Sequence, residues 1–383
     1  MDKPTVQDIF HRFYPAYLDQ YSPSPVQANV AHNIMNCKTG AYGANVCVCE
    51  DCGFVQIHYN SCRNRCCPMC QAVPKEMWMD ARREDVLDAP YFHLVFTVPD
   101  ILNPVIYSNQ RLLYDALYHA ASSTISELTA DPKHLGAKVG YICILHTWGS
   151  EMNFHPHIHT ILLGGGLASN NQWKDNGENF FLPIRVISKM FRGKYLEELK
   201  RLWEEDKLVF HGTAEEFRNH YTFKELLDSC YGMDWIPHCK KTFNGAQTVI
   251  KYLGKYTHRI AVSNHRIVRM DDDTVTFLVK DYRNEGQWKE LTISGVEFVR
   301  RFLMHVPPRR FVRIRHYGLL CSRTKSQKLT LCRNLLGCKK YLSKLRDMEM
   351  PEILEHLYGI KVCVCKACGG HLGKPQMRMP LRC

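Results

Sequence analysis

Eight of the chain's 18 cysteines lie between Cys37 and Cys70, and four more lie between Cys363 and Cys383. Thiols this crowded are either disulfides or metal ligands, and the redox compartment decides between them. The opening residues MDKPTVQDIFHRFYP carry charge and no apolar signal-peptide core. No apolar run is long enough to span a bilayer. These features predict a reducing cytoplasm, no membrane partner, and cysteines that bind metal. At 383 residues the chain is expected to hold two or three domains, with metal-stapled modules at each end and a conventional core between.

Cys49-Glu-Asp-Cys52 and Cys67-Pro-Met-Cys70 are two C-x-x-C turns with 14 residues between them. Each turn aims two thiolates at one point, and two turns complete a tetrahedron. Structural zinc on Cys49, Cys52, Cys67 and Cys70 is therefore expected. A closed site of four thiolates leaves no position for substrate, so it is not the catalytic centre. Cys62 and Cys66 are extra, with Cys37, Cys47, His32 and His58 nearby, and a second zinc could use some of these. Cys365-Lys-Ala-Cys368 is half a motif, which Cys363, His371 or Cys383 could complete.

The charge balance is +12, from 50 Lys and Arg against 38 Asp and Glu. Of the basic residues, 14 lie between Arg300 and Arg346, a stretch with no acid, so the rest of the chain sums to −2. Local basicity of this kind predicts a nucleic-acid surface, with Arg309, Arg310, Arg313 and Arg315 as candidates. Neither a G-x-x-x-x-G-K-[ST] nor a G-x-G-x-x-G motif is present, which argues against phosphate-loop ATPases and dinucleotide enzymes.

Between the cysteine clusters the pattern is mixed. YFHLVFTVP from Tyr91, GYICILHTWG and FHPHIHTILLGGG read as strands, the last two as a hairpin that Gly164, Gly165 and Gly166 end. Leu112 to Leu128 has helical spacing. Residues 167–244 read as an insert with one helix, ISKMFRGKYLEELKRLWEED. NGAQTVIKYLGKYTHRI reads as another helix, and RIVRM with TVTFLVKDY as a hairpin.

On a strand, His155, His157 and His159 share one face. Pro156 suits a strand's start or edge, which favours His157 and His159 as the working pair, with Ile158 turned to the core. If the hairpin centre lies between Glu151 and Met152, His146 falls opposite His157. Three imidazoles then leave coordination positions open for water or a phosphate oxygen, as a catalytic metal requires. Tyr252 and Tyr256 in KYLGKYTHR are one helical turn apart on one face. Lys251, Lys255 and Arg259 flank them. A phenol with a pKa near about 10 needs such help to attack phosphate.

These segments resemble one family. YNSCRNRCCPMCQ, FTVP, LHTWG, HPHIH followed by GGG, YLGKYTHRIAVSN, and RRFLMHVPP with RIRHYG run from residue 59 to residue 318 in the order found in rolling-circle transposases of the insertion sequence 91 family, of the two-tyrosine HUH class. The resemblance implies a zinc-binding N-terminal domain and an HUH-type catalytic domain with a central antiparallel sheet and helices, an α+β fold. With the charge and cysteine patterns, the expected domains are 1–87 (zinc), 88–299 (catalytic, with the insert), 300–346 (basic) and 347–383 (cysteine knuckle). His157 and His159 correspond to the HUH pair, Tyr252 and Tyr256 to the nucleophiles, and the catalytic ion to Mg²⁺ or Mn²⁺ beside structural Zn²⁺. The family's zinc motif carries His where this chain has Cys66. The implied activity is cleavage and rejoining of single-stranded DNA through a 5′-phosphotyrosine, at the bacterial nucleoid, with element termini as substrate and strand opening left to a host helicase. Trp148 and Tyr317 are candidates for base stacking. The rival readings are a zinc protein that binds DNA without catalysis, a tyrosine recombinase (suggested by RIRHYG at Arg313 to Gly318), and a zinc hydrolase using water.

Overall fold

The structure is a computed structural model. It describes residues 3–176, 182–235, 237–241, 249, 254, 261–281, 286–374 and 376–378. Its centre is an antiparallel sheet built from β3 (Tyr91–Thr97), β4 (Lys138–Trp148), β5 (Phe154–Leu167), β7 (His238–Lys241) and β11 (Ile314–Gly318), in the order β11-β4-β5-β3-β7, with β6 (Trp173–Asp175) paired to β5. Helices pack on it, so the fold is α+β, as expected. Among the described residues no helix is long and apolar enough to cross a membrane.

The alternation of side chains along each strand decides what covers each face. Phe92, Leu94 and Phe96 of β3, Tyr141, Cys143 and Leu145 of β4, and Ile158 and Leu162 of β5 enter one core with helices α4 (Gln110–Ala130), α5 (Ile184–Glu204) and α6 (His220–Gly232). Residues from Leu182 to Trp235, read from the sequence as an insert, thus supply a large share of this core through Ile187, Phe191, Tyr195, Leu196 and Leu199. The opposite face carries Tyr91, Ile142, Ile144, Ile161 and Leu163. It is covered by Trp78 and Met79 of α3 (Ala72–Arg83), by Val249, and by Leu329 and Cys332 of the helix Lys325–Leu336.

A third core joins the chain's beginning to residues far downstream. Helices α1 (Val6–Gln20) and α2 (Pro25–Met35) start at capping boxes, Thr5 with Asp8 and Ser24 with Gln27. Their apolar faces meet Phe298, Val299, Phe302 and Leu303 of the helix Gly295–Met304, together with Val275, Phe277 and Val279 of β9 (Thr274–Asp281). Strand β9 lies between β8 (Ile267–Met270) and β10 (Gln287–Ser294). Trp148 and Met152, at the tip of the β4–β5 hairpin, plug into this core, which fixes the hairpin at both ends.

The glycine triplet does not end β5. Strand pairing continues through Gly165, Gly166 and Leu167 to β6. A side chain at Gly165 would strike the Trp173 ring, and one at Gly166 the Lys138 carbonyl. The glycines are there for close approach of neighbouring strands rather than for a turn.

Candidate active site and metal centres

His146 pairs directly with His157 across the β4–β5 ladder. The hairpin centre expected from the sequence gives this same pair. The ladder then slips, so that Trp148 faces Phe154. Pro156 lies at the slip, where its missing N–H costs no ladder bond. Met152, in the left-handed region with φ 57°, closes the turn. Ile158 points away into the first core and is fully buried.

The histidine face holds three convergent ligand atoms: one nitrogen each from His146, His157 and His159, all within 4.8 Å of one another. The Nε2 atoms of His157 and His159 are 3.0 Å apart. Two nitrogens at right angles around one ion, each at about 2.1 Å, stand about 3.0 Å apart. His157 Nδ1–H donates to the His155 carbonyl at 2.7 Å, which turns the lone pair of Nε2 inward. Burial holds the His157 pKa down at about 4, so the ring is neutral and able to ligate near pH 7. His155 itself stands at the rim, with Nδ1 3.1 Å from Asp100.

His93 completes the site from β3, and the sequence reading missed it. Its Nε2 lies 2.9 Å from His159 Nδ1. If His159 binds an ion through Nε2, its Nδ1–H donates to His93, which fixes the ring's tautomer and rotation. The available signal was the alternation of Tyr91, His93 and Val95, which puts an imidazole on the same face as the hairpin histidines. The indole of Trp148 stacks on His146 at 4.5 Å and is only 8% exposed. It braces a candidate ligand and is almost wholly covered. Tyr317 likewise stacks on Tyr141 at 5.2 Å.

Tyr252 and Tyr256 lie outside the described residues, as do Lys251, Lys255 and Arg259. Two described residues bracket Tyr252. Val249 is buried in the cluster on the histidine face of the sheet, and Gly254 touches Met79 of α3. Of the four arginines expected to hold DNA, Arg309 and Arg310 are exposed. Arg315 is ion-paired to a half-exposed Asp115 and lies 4.0 Å over the Tyr118 ring. Arg313 is half-buried near Cys66.

The two C-x-x-C turns do not share a site. Cys67 and Cys70 converge with Cys37 and Cys62, whereas Cys49 and Cys52 converge with Cys365 and Cys368. The reason is that the ribbon of β1 (Ala44–Val48) and β2 (Val55–Tyr59) holds its turn, with Cys49 and Cys52, away from the third core, in which Cys37 and Cys67 are buried. Cys66 belongs to neither set. It is buried in a small cavity with Trp148, Phe302, His305 and Arg313. Cys47 packs beside Cys49 without joining the four. His32 bonds to Asn36, His58 to Gln56, and the exposed His371 lies beside Glu50. Cys383 is outside the described residues.

In the first set Cys62 and Cys70 have their sulfurs 3.8 Å apart. Hydrogen bonds from Cys62 and Cys67 hold the Cys70 thiol well below its ordinary value, while contacts with Cys62 and Cys70 push Cys67 up. Protons can satisfy only some of these sulfurs at once. A dication satisfies all four, and the donor set is that of a closed structural zinc site.

The sequence carries two family matches. A model described as "Transposase zinc-binding domain" matches residues 9–98, and one described as "Putative transposase" matches residues 140–328. A "Putative transposase y4qJ" of Sinorhizobium fredii is 40% identical over 369 residues, covering 95% of this chain and 93% of that protein. The "Transposase for insertion sequence element IS801" of Pseudomonas savastanoi pv. phaseolicola is 30% identical over 309 residues, covering 79% of this chain and 72% of its own. The chain belongs to the insertion sequence 91 family of transposases. Among solved structures, this transposase has remote likenesses in the conjugative relaxase TrwC. A DNA complex aligns with 45% of this chain and 68% of the relaxase, at 14% identity and a TM-score of 0.23. A copper-bound form aligns with 67% and 99%, at 11% identity and a TM-score of 0.26.

Proposed function

We propose that this transposase cuts and rejoins single-stranded DNA at element termini through tyrosine nucleophiles, Tyr252 and Tyr256, working beside the histidine site. The observation that supports this most is the convergence of His146, His157 and His159 on one face of the sheet, with Val249 buried on that same face three residues before Tyr252. A divalent cation on the three imidazoles, Mn²⁺ more readily than Mg²⁺ given nitrogen donors, would supply charge to polarise the scissile phosphate.

The residues divide the remaining work. A tyrosine oxygen attacks phosphorus and loses its proton to solvent. The P–O3′ bond breaks, and the departing 3′ oxygen takes up a proton. The product is a 5′-phosphotyrosine with a free 3′-hydroxyl. The phosphoester is conserved, so a 3′-hydroxyl can later attack it and release the tyrosine without ATP. A second tyrosine allows a second cut before the first is resealed. Lys251, Lys255 and Arg259 are proposed to lower the phenol pKa and hold phosphates. Arg309 and Arg310, exposed in the basic stretch, are proposed to bind the strand. Strand opening is left to a host helicase.

The test is a denaturing gel of the full chain with Mn²⁺ and a single-stranded oligonucleotide carrying the element's end. A covalent adduct should form, disappear with EDTA, and disappear in the Tyr252→Phe/Tyr256→Phe variant and in His157→Gln while DNA binding stays. The label must remain with the 5′-phosphate side. A 3′-linked adduct would support the recombinase reading. DNA bound without any adduct would support a non-catalytic zinc protein.

A further inference from the structure

Cys49, Cys52, Cys365 and Cys368 form a four-thiol cluster whose halves lie more than three hundred residues apart in sequence. The Cys49 and Cys368 sulfurs are 3.5 Å apart, and those of Cys52 and Cys365 are 3.8 Å apart. A disulfide would need about 2.05 Å. A tetrahedron of sulfurs, each about 2.3 Å from zinc, has edges of about 3.8 Å.

The two halves are built alike. Gly53 N–H donates to the Cys49 carbonyl at 3.0 Å, and Gly369 N–H donates to the Cys365 carbonyl at 3.0 Å. Both glycines have positive φ, 70° and 79°, which a side chain would strain. Cys49 N–H donates to the Phe54 carbonyl at 2.9 Å, and Cys365 N–H to the Gly370 carbonyl at 2.8 Å. Backbone amides of Ala367 and Gly370 donate to the Cys365 and Cys368 sulfurs, each at 3.4 Å. Such bonds favour thiolate over thiol.

Among the described residues this module buries little apolar surface. Its buried cluster consists of Cys47, Cys49, Cys365 and Leu372. Val48, Val55, Ile57 and Tyr59 of the ribbon are all about half exposed. The tail adds a short strand, Gln376–Arg378, to β1, and Gly373 N–H reaches the Val48 carbonyl at 2.9 Å. A core this small does not fold without a staple. Neither family match extends to residues 363–378.

We propose that a second structural zinc ion binds Cys49, Cys52, Cys365 and Cys368, and clamps the C-terminal tail onto the N-terminal ribbon. The zinc module of this transposase is then bipartite, finished by a knuckle from the other end of the chain. The clamp is independent of the cleavage reading and needs no DNA.

Elemental zinc analysis of the purified full chain tests it by non-additivity. The Cys365→Ser/Cys368→Ser variant should contain one zinc fewer than the parent. Cys49→Ser/Cys52→Ser should lose the same one, and the quadruple variant no more than either. A quadruple variant lacking two ions, or none, would overturn the proposal. Because a cysteine variant can misfold, a second measurement uses the native ligands. A protease site is placed after Gly359, beyond the helix Met350–Tyr358 whose Ile353 is buried, and cut under native conditions. The tail should co-elute with the body at monomer mass while zinc is present, and separate when a chelator is added. A tail that leaves with zinc present, stays after chelation, or bridges two bodies into a dimer would also overturn it.

Discussion

The histidine site and the cysteine sites are assembled at opposite ranges of the chain. His146, His157 and His159 belong to two adjacent strands of one hairpin. One cysteine set gathers Cys37, Cys62, Cys67 and Cys70 at the base of the third core, and the other joins Cys49 and Cys52 to Cys365 and Cys368. The histidines are positioned by a scaffold that already exists: a sheet buried on both faces, the Trp148 ring and His93. One cysteine set is packed into the third core, and the other joins segments distant in sequence around a small apolar cluster. Local sites of this kind are arranged by the fold, whereas long-range sites arrange it. Losing the metal should therefore cost activity at one and structure at the other.

The largest expected effect follows from that contrast. Cys67 is fully buried among α1, α2 and the helix Gly295–Met304. A zinc site of its type contributes on the order of 10 kcal/mol, as much as the whole stability of an ordinary domain. Cys67→Ser should leave the third core unfolded, seen as loss of cooperative melting in calorimetry and rapid proteolysis of residues 3–90. His157→Gln should melt within about 1 kcal/mol of the parent in EDTA, since it removes no structural metal. If the two variants melt alike, the division between scaffold and cargo fails.

A smaller effect concerns how the histidine site is held. His93→Leu should weaken Mn²⁺ binding by about 10- to 100-fold, the usual penalty for losing a partner behind a ligand. It should do so by isothermal titration with no DNA present. His93→Gln keeps an oxygen able to accept from His159 Nδ1–H and should recover most of the loss. Equal loss in both variants would mean that His93 fills space rather than orienting a ligand.

These differences also explain what could be read from residue order alone. The pairing of His146 with His157 was legible because hairpin register follows from counting along two strands. The mixture of strands and helices was legible from alternating and helical spacing, and the resemblance of the HPHIH and YLGKYTHR segments supplied the α+β class. His93 was not singled out, because its strand meets the hairpin only through β3–β5 pairing, where Val95 faces His159. The cysteine grouping was misread, because C-x-x-C spacing fixes which thiols form a pair but not which pair meets which. That choice is made by the docking of the ribbon and tail, and by the burial of Cys37 beside Cys67. Charge density could not show that Arg315 pairs with Asp115 and lies over Tyr118, because both partners come from a helix far away in sequence.

The smallest effect tests whether the third core relies on anything besides its metal. Glu297, in the first turn of the helix Gly295–Met304, accepts from Arg300 at 2.6 Å and from Arg301 at 2.7 Å. The Arg300 bond, against the opposing cost of burial and with help from Arg301, holds the carboxyl down at about 2, from 4.5. A carboxylate depressed on folding adds stability that is complete above its unfolded pKa. That stability is lost as pH falls through the folded value. The side chains are 28%, 37% and 24% exposed, so solvent screening reduces the gain to about 1 kcal/mol. Glu297→Gln should therefore melt lower than the parent by that amount at pH 7. The gap should begin to close as pH falls through 4.5 towards the folded value, read over the pH range in which both proteins keep their zinc and still melt cooperatively. A gap that stays constant below pH 4.5 for as long as zinc remains bound would mean that the carboxylate contributes packing alone, and that the metal carries the charge-dependent stability of this core.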